Sequence, residues 1–135
     1  MTEMTVHATI ENIPAVTEFV EKQLEELNCS DSAQMQIDIA IDELFSNIAK
    51  YAYDTEEGYA TVRVEVVENP MAVVITFIDE GIPYDPLDRD DPDITLSAEE
   101  REIGGLGLYM VKKCMDEISY EYNEGRNILK IKKKI

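Results

Sequence analysis

The hydrophobic pattern changes period several times along the chain, and each change marks an element. Residues 4–10 alternate, with Val6, Ala8 and Ile10 on one side and Thr5, His7 and Thr9 on the other, which predicts a strand with one buried face. Ile13, Val16, Val20, Leu24 and Leu27 then recur at spacings of three and four, while Glu18, Glu21, Lys22, Glu25 and Glu26 fall between them. This is an amphipathic helix, with Asn12 as its expected cap and Pro14 in its first turn. A second helix is expected from Ser30 or Asp31 to about Tyr53, on the period of Ile37, Ile41, Leu44, Ile48 and Ala52. Ile39, Ala40, Phe45 and Ala49 widen its apolar stripe, so burial on more than one side is expected.

Beyond Gly58 the period becomes two. Val62, Val64 and Val66 alternate with Thr61, Arg63 and Glu65, Asn69-Pro70 makes a turn, and an apolar run from Val73 to Ile78 ends at Asp79. The pair reads as a hairpin whose second strand is covered on most of its surface. Residues 80–103 carry Pro83, Pro86 and Pro92 and are strongly acidic, so they read as a long loop of the kind that serves as a lid or an insert. Order resumes at Gly104-Gly105-Leu106-Gly107-Leu108, and Leu108, Val111, Met115 and Ile118 keep helical spacing. Tyr120 and Tyr122, a turn at Asn123-Glu124-Gly125, and Leu129, Ile131 and Ile135 predict a closing hairpin. The order β-α-α-β-β-lid-α-β-β points to an α+β two-layer sandwich, a mostly antiparallel mixed sheet with helices on one face. One domain over residues 1–135 is expected, with no internal repeat.

Composition removes several function classes. The 135 residues carry 12 Lys+Arg against 29 Asp+Glu, a net charge of −17, with 44% apolar residues. That apolar content exceeds what a disordered acidic chain carries. The charge argues against nucleic acid and anionic membranes as partners, because phosphate repulsion is not offset over most of the surface. No apolar run approaches the roughly 20 residues that span a bilayer. Neither a secretory leader nor a CxxC pair is recognisable, and one His leaves no zinc set, so a cytoplasmic setting with Cys29 and Cys114 as small buried hydrophobes is expected.

Three groups of residues carry candidate chemistry. Asp79-Glu80-Gly81 stands where a buried strand ends, and a carboxylate there followed by Gly suits reading of a ligand amine with close backbone approach. Gly104-Gly105-x-Gly107 precedes a helix, where bare N–H groups and the helix dipole favour phosphate oxygens. Glu43 and Asn47, four residues apart, project from one side of the second helix, a carboxylate and a carboxamide suited to a Mg²⁺ and a positioned hydroxyl or water. Taken singly, each has an ordinary reading: a turn, a helix start, a solvated helix face.

Together, Glu43-Leu-Phe-Ser-Asn47, Asp79-Glu-Gly81-Ile-Pro83-Tyr-Asp85-Pro86 and Gly104-Gly-Leu-Gly-Leu108 occur in the order found in the Bergerat-type ATPases. The chain most closely resembles their small bacterial branch, the anti-sigma-factor serine/threonine kinases, over nearly its whole length. The resemblance implies the Bergerat ATP-binding fold with ATP and Mg²⁺ as cofactors. It implies that Asn47 coordinates the Mg²⁺ and that Glu43 acts as general base or polarising carboxylate. Asp79 would accept from the adenine amine, Gly81 would give room for the base, and Gly104, Gly105 and Gly107 would cradle phosphates. Residues 85–103 would form the ATP lid, where Arg101 would reach the phosphates or a partner, or else pair with Glu99 or Glu102. The implied partners are a sigma factor and a small anti-sigma-antagonist protein phosphorylated on Ser or Thr, and dimerisation is common in this branch.

Two positions depart from the branch. Tyr51 stands where a His commonly follows the motif Asn by four residues, and Gly125 is followed by Arg126 and Asn127 where a Thr is common. The alternative expectation is therefore a nucleotide-binding partner switch with little or no kinase activity. A lone histidine-kinase catalytic half is disfavoured, since no helix carries a phosphoacceptor His and His7 falls in a strand.

Overall fold

A computed structural model of the chain describes residues 1–53, 57–87 and 105–135, with the side chains of 105 and 106 outside that description. The elements are β1 (Thr2–His7), a short 3₁₀ turn (Ile10–Asn12), α1 (Ile13–Glu25), α2 (Asp31–Tyr51), β2 (Tyr59–Val67), β3 (Ala72–Asp79), α3 (Gly105–Cys114), β4 (Glu117–Asn123) and β5 (Arg126–Lys134). The five strands form one sheet in the order β1-β2-β3-β5-β4. The sheet is antiparallel at every pairing rather than mixed. Each sequence neighbour pairs through a hairpin except where α1–α2 and α3 intervene, which is how a two-layer α+β fold arises.

The two periodicities meet in one core. Val62 and Val64 of β2, Ile75 and Phe77 of β3, and Leu129 and Ile131 of β5 share a face by register and pack in one cluster with the helices. Val16, Val20 and Leu24 enter from α1, Ile37, Ile41, Leu44 and Phe45 from α2, and Leu108 and Val111 from α3. Each such side chain contributes roughly 1.5–3 kcal/mol of burial. Strand β3 is central, with β2 on one side and β5 on the other. Its residues are buried on both faces except Val74, as the unbroken apolar run predicts.

Several local expectations change. Strand β1 ends at His7, and Ile10 lies in the 3₁₀ turn half-exposed instead of extending the buried face. Asn12 precedes α1 but does not cap it with its side chain. Its amide donates instead to the His7 carbonyl at 2.8 Å, closing the β1–α1 corner. At α2 the cap is Ser30, whose Oγ accepts from Ala33 N at 3.1 Å. Ile39 and Met35 are exposed, so α2 is not buried on every side that carries apolar residues. Helix α3 stops at Cys114, and Ile118 belongs to β4, opposite Ile131. Asp116 makes that break, since its N–H donates to Lys132 O and its carboxylate accepts from Lys134 N, both bonds of a strand start. Cys29 and Cys114 are half-buried rather than buried, and burial pushes the Cys29 thiol upward, away from the reactive thiolate.

Candidate functional site

Asp79 is the last residue of β3, and the strand places it on the core face at 4% exposure. A carboxylate there is costly unless hydrogen-bonded. Two donors meet its Oδ1: Gly81 N at 2.9 Å, in a tight turn immediately after the strand, and Asn127 Nδ2 at 2.8 Å. Burial raises the Asp79 pKa from its ordinary value, and those two bonds pull it back in part. Asp79 and Asn127 are direct cross-strand partners in the β3–β5 register.

The turn after Asp79 is seated against the end of α2. Ile82 N donates to Ala52 O at 2.9 Å, and a Cβ placed on Gly81 would lie 2.2 Å from that same oxygen. The room that a side chain at residue 81 would need is thus taken by α2 itself, so the glycine serves the close packing of turn on helix. Tyr53 locks the same corner, its hydroxyl donating to Tyr59 O at 2.7 Å and accepting from Glu80 N at 2.9 Å.

Asn47, Leu44 and Ile48 of α2 and Ala52 at its C-terminal cap line a pocket with Phe77 and Asp79 of β3, Tyr84 and Pro86 of the segment after β3, Tyr120 of β4, and Asn127 and Leu129 of β5. The cleft is open to solvent and narrow in this structure, with room of about 30 Å³ for water-sized occupants, apolar on most of its wall with a few polar groups converging on it. Glu43 lies one turn before Asn47. Its carboxylate rests on the first turn of α3, where a Cβ on Gly107 would fall 2.3 Å from Glu43 Oε2. A side chain at residue 107 would displace the Glu43 carboxylate from this place, where the helix N-terminus favours its negative charge.

Asn47 and Asp79 therefore share one pocket, and Glu43 and Gly107 meet beside Asn47. Gly105 is the first residue of α3, whereas Gly104 and Arg101 lie outside the described residues, as do positions 88–103 of the expected lid. Tyr51, in the place of the commoner His, is half-exposed and its ring lies 5.7 Å from that of Tyr84 at the pocket edge. Among the described residues no three His, Cys, Asp or Glu side chains gather as a metal set. A Mg²⁺ held by phosphates and one side-chain oxygen needs no such set.

The residue that sequence reasoning missed is Asn127. It is 5% exposed, and its carboxamide donates to Asp79 Oδ1 and to Ile82 O, each at 2.8 Å, while its Oδ1 accepts from Tyr84 N at 3.2 Å and from the Tyr120 hydroxyl. The only signal in the chain was its place two residues after Gly125, where the pattern of the branch offers a different polar residue.

The histidine kinase-like ATPase domain family matches residues 6–133. The chain belongs to that family. It is 32% identical over 99 residues to the serine-protein kinase RsbW of Listeria monocytogenes serovar 1/2a, a match that takes in 70% of this chain and 62% of the relative. The serine-protein kinase RsbW of Bacillus velezensis is 31% identical over 90 residues, 64% of this chain and 56% of that one. The chain thus spans about three-fifths of the length of these relatives. In three dimensions it resembles the structure of the RsbU and RsbW domains of Rv1364c from Mycobacterium tuberculosis, with a TM-score of 0.63 at 16% identity over 99% of this chain and 32% of that one. That likeness agrees with the histidine kinase-like ATPase fold, and the curated relatives named above are serine-protein kinases.

Proposed function

We propose that this protein is an anti-sigma factor and an ATP-dependent serine/threonine protein kinase, which binds a sigma factor and phosphorylates a small antagonist protein. The observation that carries the reading is the convergence of Glu43, Asn47 and Gly107 beside the pocket that ends in Asp79. The residues fit the ligand that the family binds. Asp79 offers an acceptor to a base amine at the buried end, and the first-turn N–H groups of α3 at Gly105 and Gly107 would meet the phosphates. Asn47 lines that pocket one helical turn beyond Glu43 and would give its side-chain oxygen to Mg²⁺. Mg²⁺·ATP supplies a transferable phosphoryl group and charge neutralisation, and the protein's part is positioning. Glu43, held against α3, would accept the proton of the attacking Ser or Thr hydroxyl. Gly104, Arg101 and the lid at 85–103 would complete the phosphate side. The protein would act in the cytoplasm, without nucleic acid or membrane as direct partners, and could pair as a homodimer.

The test is transfer of label from γ-labelled ATP to candidate antagonist proteins. Glu43→Ala should abolish transfer and leave nucleotide binding intact; transfer at the wild-type rate would overturn the base assignment. Asn47→Ala should lose Mg²⁺-dependent ATP affinity in calorimetry, and unchanged affinity would remove its metal role. A second reading, a nucleotide-gated switch without transfer, is favoured by one observation: Tyr51 puts a half-exposed aromatic ring where the branch commonly has a protonatable His. Nucleotide binding with no label on any partner would select it.

A further inference from the structure

A primary carboxamide has two donor hydrogens and two acceptor lone pairs. Asn127 commits all four within the protein, to groups from three separate parts of the chain. One hydrogen goes to the end of β3 at Asp79 and the other to Ile82 O. The oxygen takes the Tyr84 N–H of the pocket wall and the hydroxyl of Tyr120 on β4. A fully used amide at 5% exposure has nothing left to offer a ligand. Asp79 is different, because both of its bonds fall on Oδ1, and Oδ2 has no hydrogen bond among the described residues.

We infer that Asn127 is a positioning residue that fixes Asp79 with Oδ1 engaged and Oδ2 available to a base amine, and that ties this carboxylate to the Ile82–Tyr84 wall so that base reading and the seating of the wall form one coupled unit. The inference rests on the nucleotide-binding reading above for its ligand, but the tie between Asn127 and the wall exists without any ligand. The geometry explains why a carboxamide occupies this place. A hydroxyl has one donor and cannot serve Asp79 and Ile82 O together. Asn127 also opposes the effect of burial on this carboxyl: without its N–H, burial would push Asp79 further upward.

The test has two arms. In the ligand-free protein, amide hydrogen exchange at Tyr84 should accelerate about tenfold or more in Asn127→Leu, since that N–H, shared between Asn127 Oδ1 and the Tyr120 hydroxyl at 3.2 Å each, loses the first acceptor and the second loses the Asn127 oxygen that anchors it, with Ile75 in the central strand unchanged. Exchange at Tyr84 at the wild-type rate would overturn the tie. In the second arm, MgATP affinity is measured by calorimetry for wild type, Asn127→Leu, Asp79→Asn and the double variant. Asn127→Leu should weaken binding about tenfold, and its affinity should fall more steeply than that of wild type as pH is lowered. The loss should shrink in the Asp79→Asn background, because the residue acts through Asp79. Equal losses in both backgrounds with a pH profile parallel to wild type would show a merely structural role. Should Asn127→Leu not melt cooperatively, Asn127→Thr, which keeps one donor, and Tyr120→Phe, which removes one partner, should give intermediate exchange and affinity, and wild-type values in both would refute the proposal. If wild type itself binds no MgATP, the nucleotide reading fails, while the exchange arm still decides the tie.

Discussion

A methyl group at residue 81 would sit 2.2 Å from the carbonyl oxygen of Ala52, a separation that no packed pair of atoms tolerates. The obstacle is backbone, which cannot swing aside as a side chain does. Gly81→Ala must therefore lift the Asp79–Ile82 turn off α2 and disturb the bond from Gly81 N to Asp79 Oδ1. We expect a loss of about 1–3 kcal/mol in stability, read as a lower Tm in thermal unfolding, together with weaker nucleotide binding. An unchanged Tm would mean that the turn is not seated as described. At this scale the sequence already marked Glu43, Asn47, Asp79, Gly81 and Gly107 as candidates, because each belongs to a short motif readable in one stretch of chain. Asn127 belongs to no such stretch, for its partners Asp79 and Ile82 lie 48 and 45 residues away.

Between elements, the α1–α2 contact contains an unusual carboxyl pair. Asp38 of α2 faces Glu21 of α1, and burial, then the hydrogen bond to Glu21, then its like charge raise Asp38 to about 6. One of its oxygens, Oδ1, is buried without a hydrogen-bond partner among the described residues. A carboxyl with a raised folded pKa is bound to its proton more tightly in the folded state, so stability falls as pH rises from the unfolded value near 4 through about 6. Asp38→Asn removes this cost. Its Tm should exceed wild type at neutral pH, and the advantage should disappear below about pH 4; an equal gain at both pH values would exclude the ionisation as its cause. The helical and strand periods identified all eight major elements, yet they misplaced two ends. Ile118 continued a three-and-four spacing by coincidence, and only the bonds of Asp116 to β5 show where helix yields to strand.

Over the whole molecule, the charge of −17 is unevenly distributed along the chain. Residues 85–102 contain eight acids and two bases, whereas seven of the twelve bases lie in the last 24 residues. Some of those bases are engaged: Lys132 pairs with Glu117 at 3.3 Å, and Lys133 Nζ donates to Cys114 O at 2.8 Å. The remaining excess of acid repels itself in the folded state more than in the expanded one. Raising salt from tens of millimolar to about 1 M, where the Debye length is about 3 Å, should therefore raise the Tm. A flat or falling Tm would show that the acids are already locally compensated. Under the proposed function, the same field would favour a cation alongside a polyanionic nucleotide and basic protein surfaces as partners. No helix among the described residues is long and apolar enough to cross a membrane.

The sequence by itself determined the elements, their order, the two-layer class and most of the motif residues, since a helix or strand is written in local periodicity and a glycine-rich turn in adjacent residues. The tertiary structure alone decided which of those residues meet. Pairing of β3 with β5 sets Asn127 opposite Asp79, and packing of α3 on α2 sets Gly107 on Glu43. Such neighbours are fixed by register and by helix packing, which are properties of the folded core and leave no periodic trace in the chain.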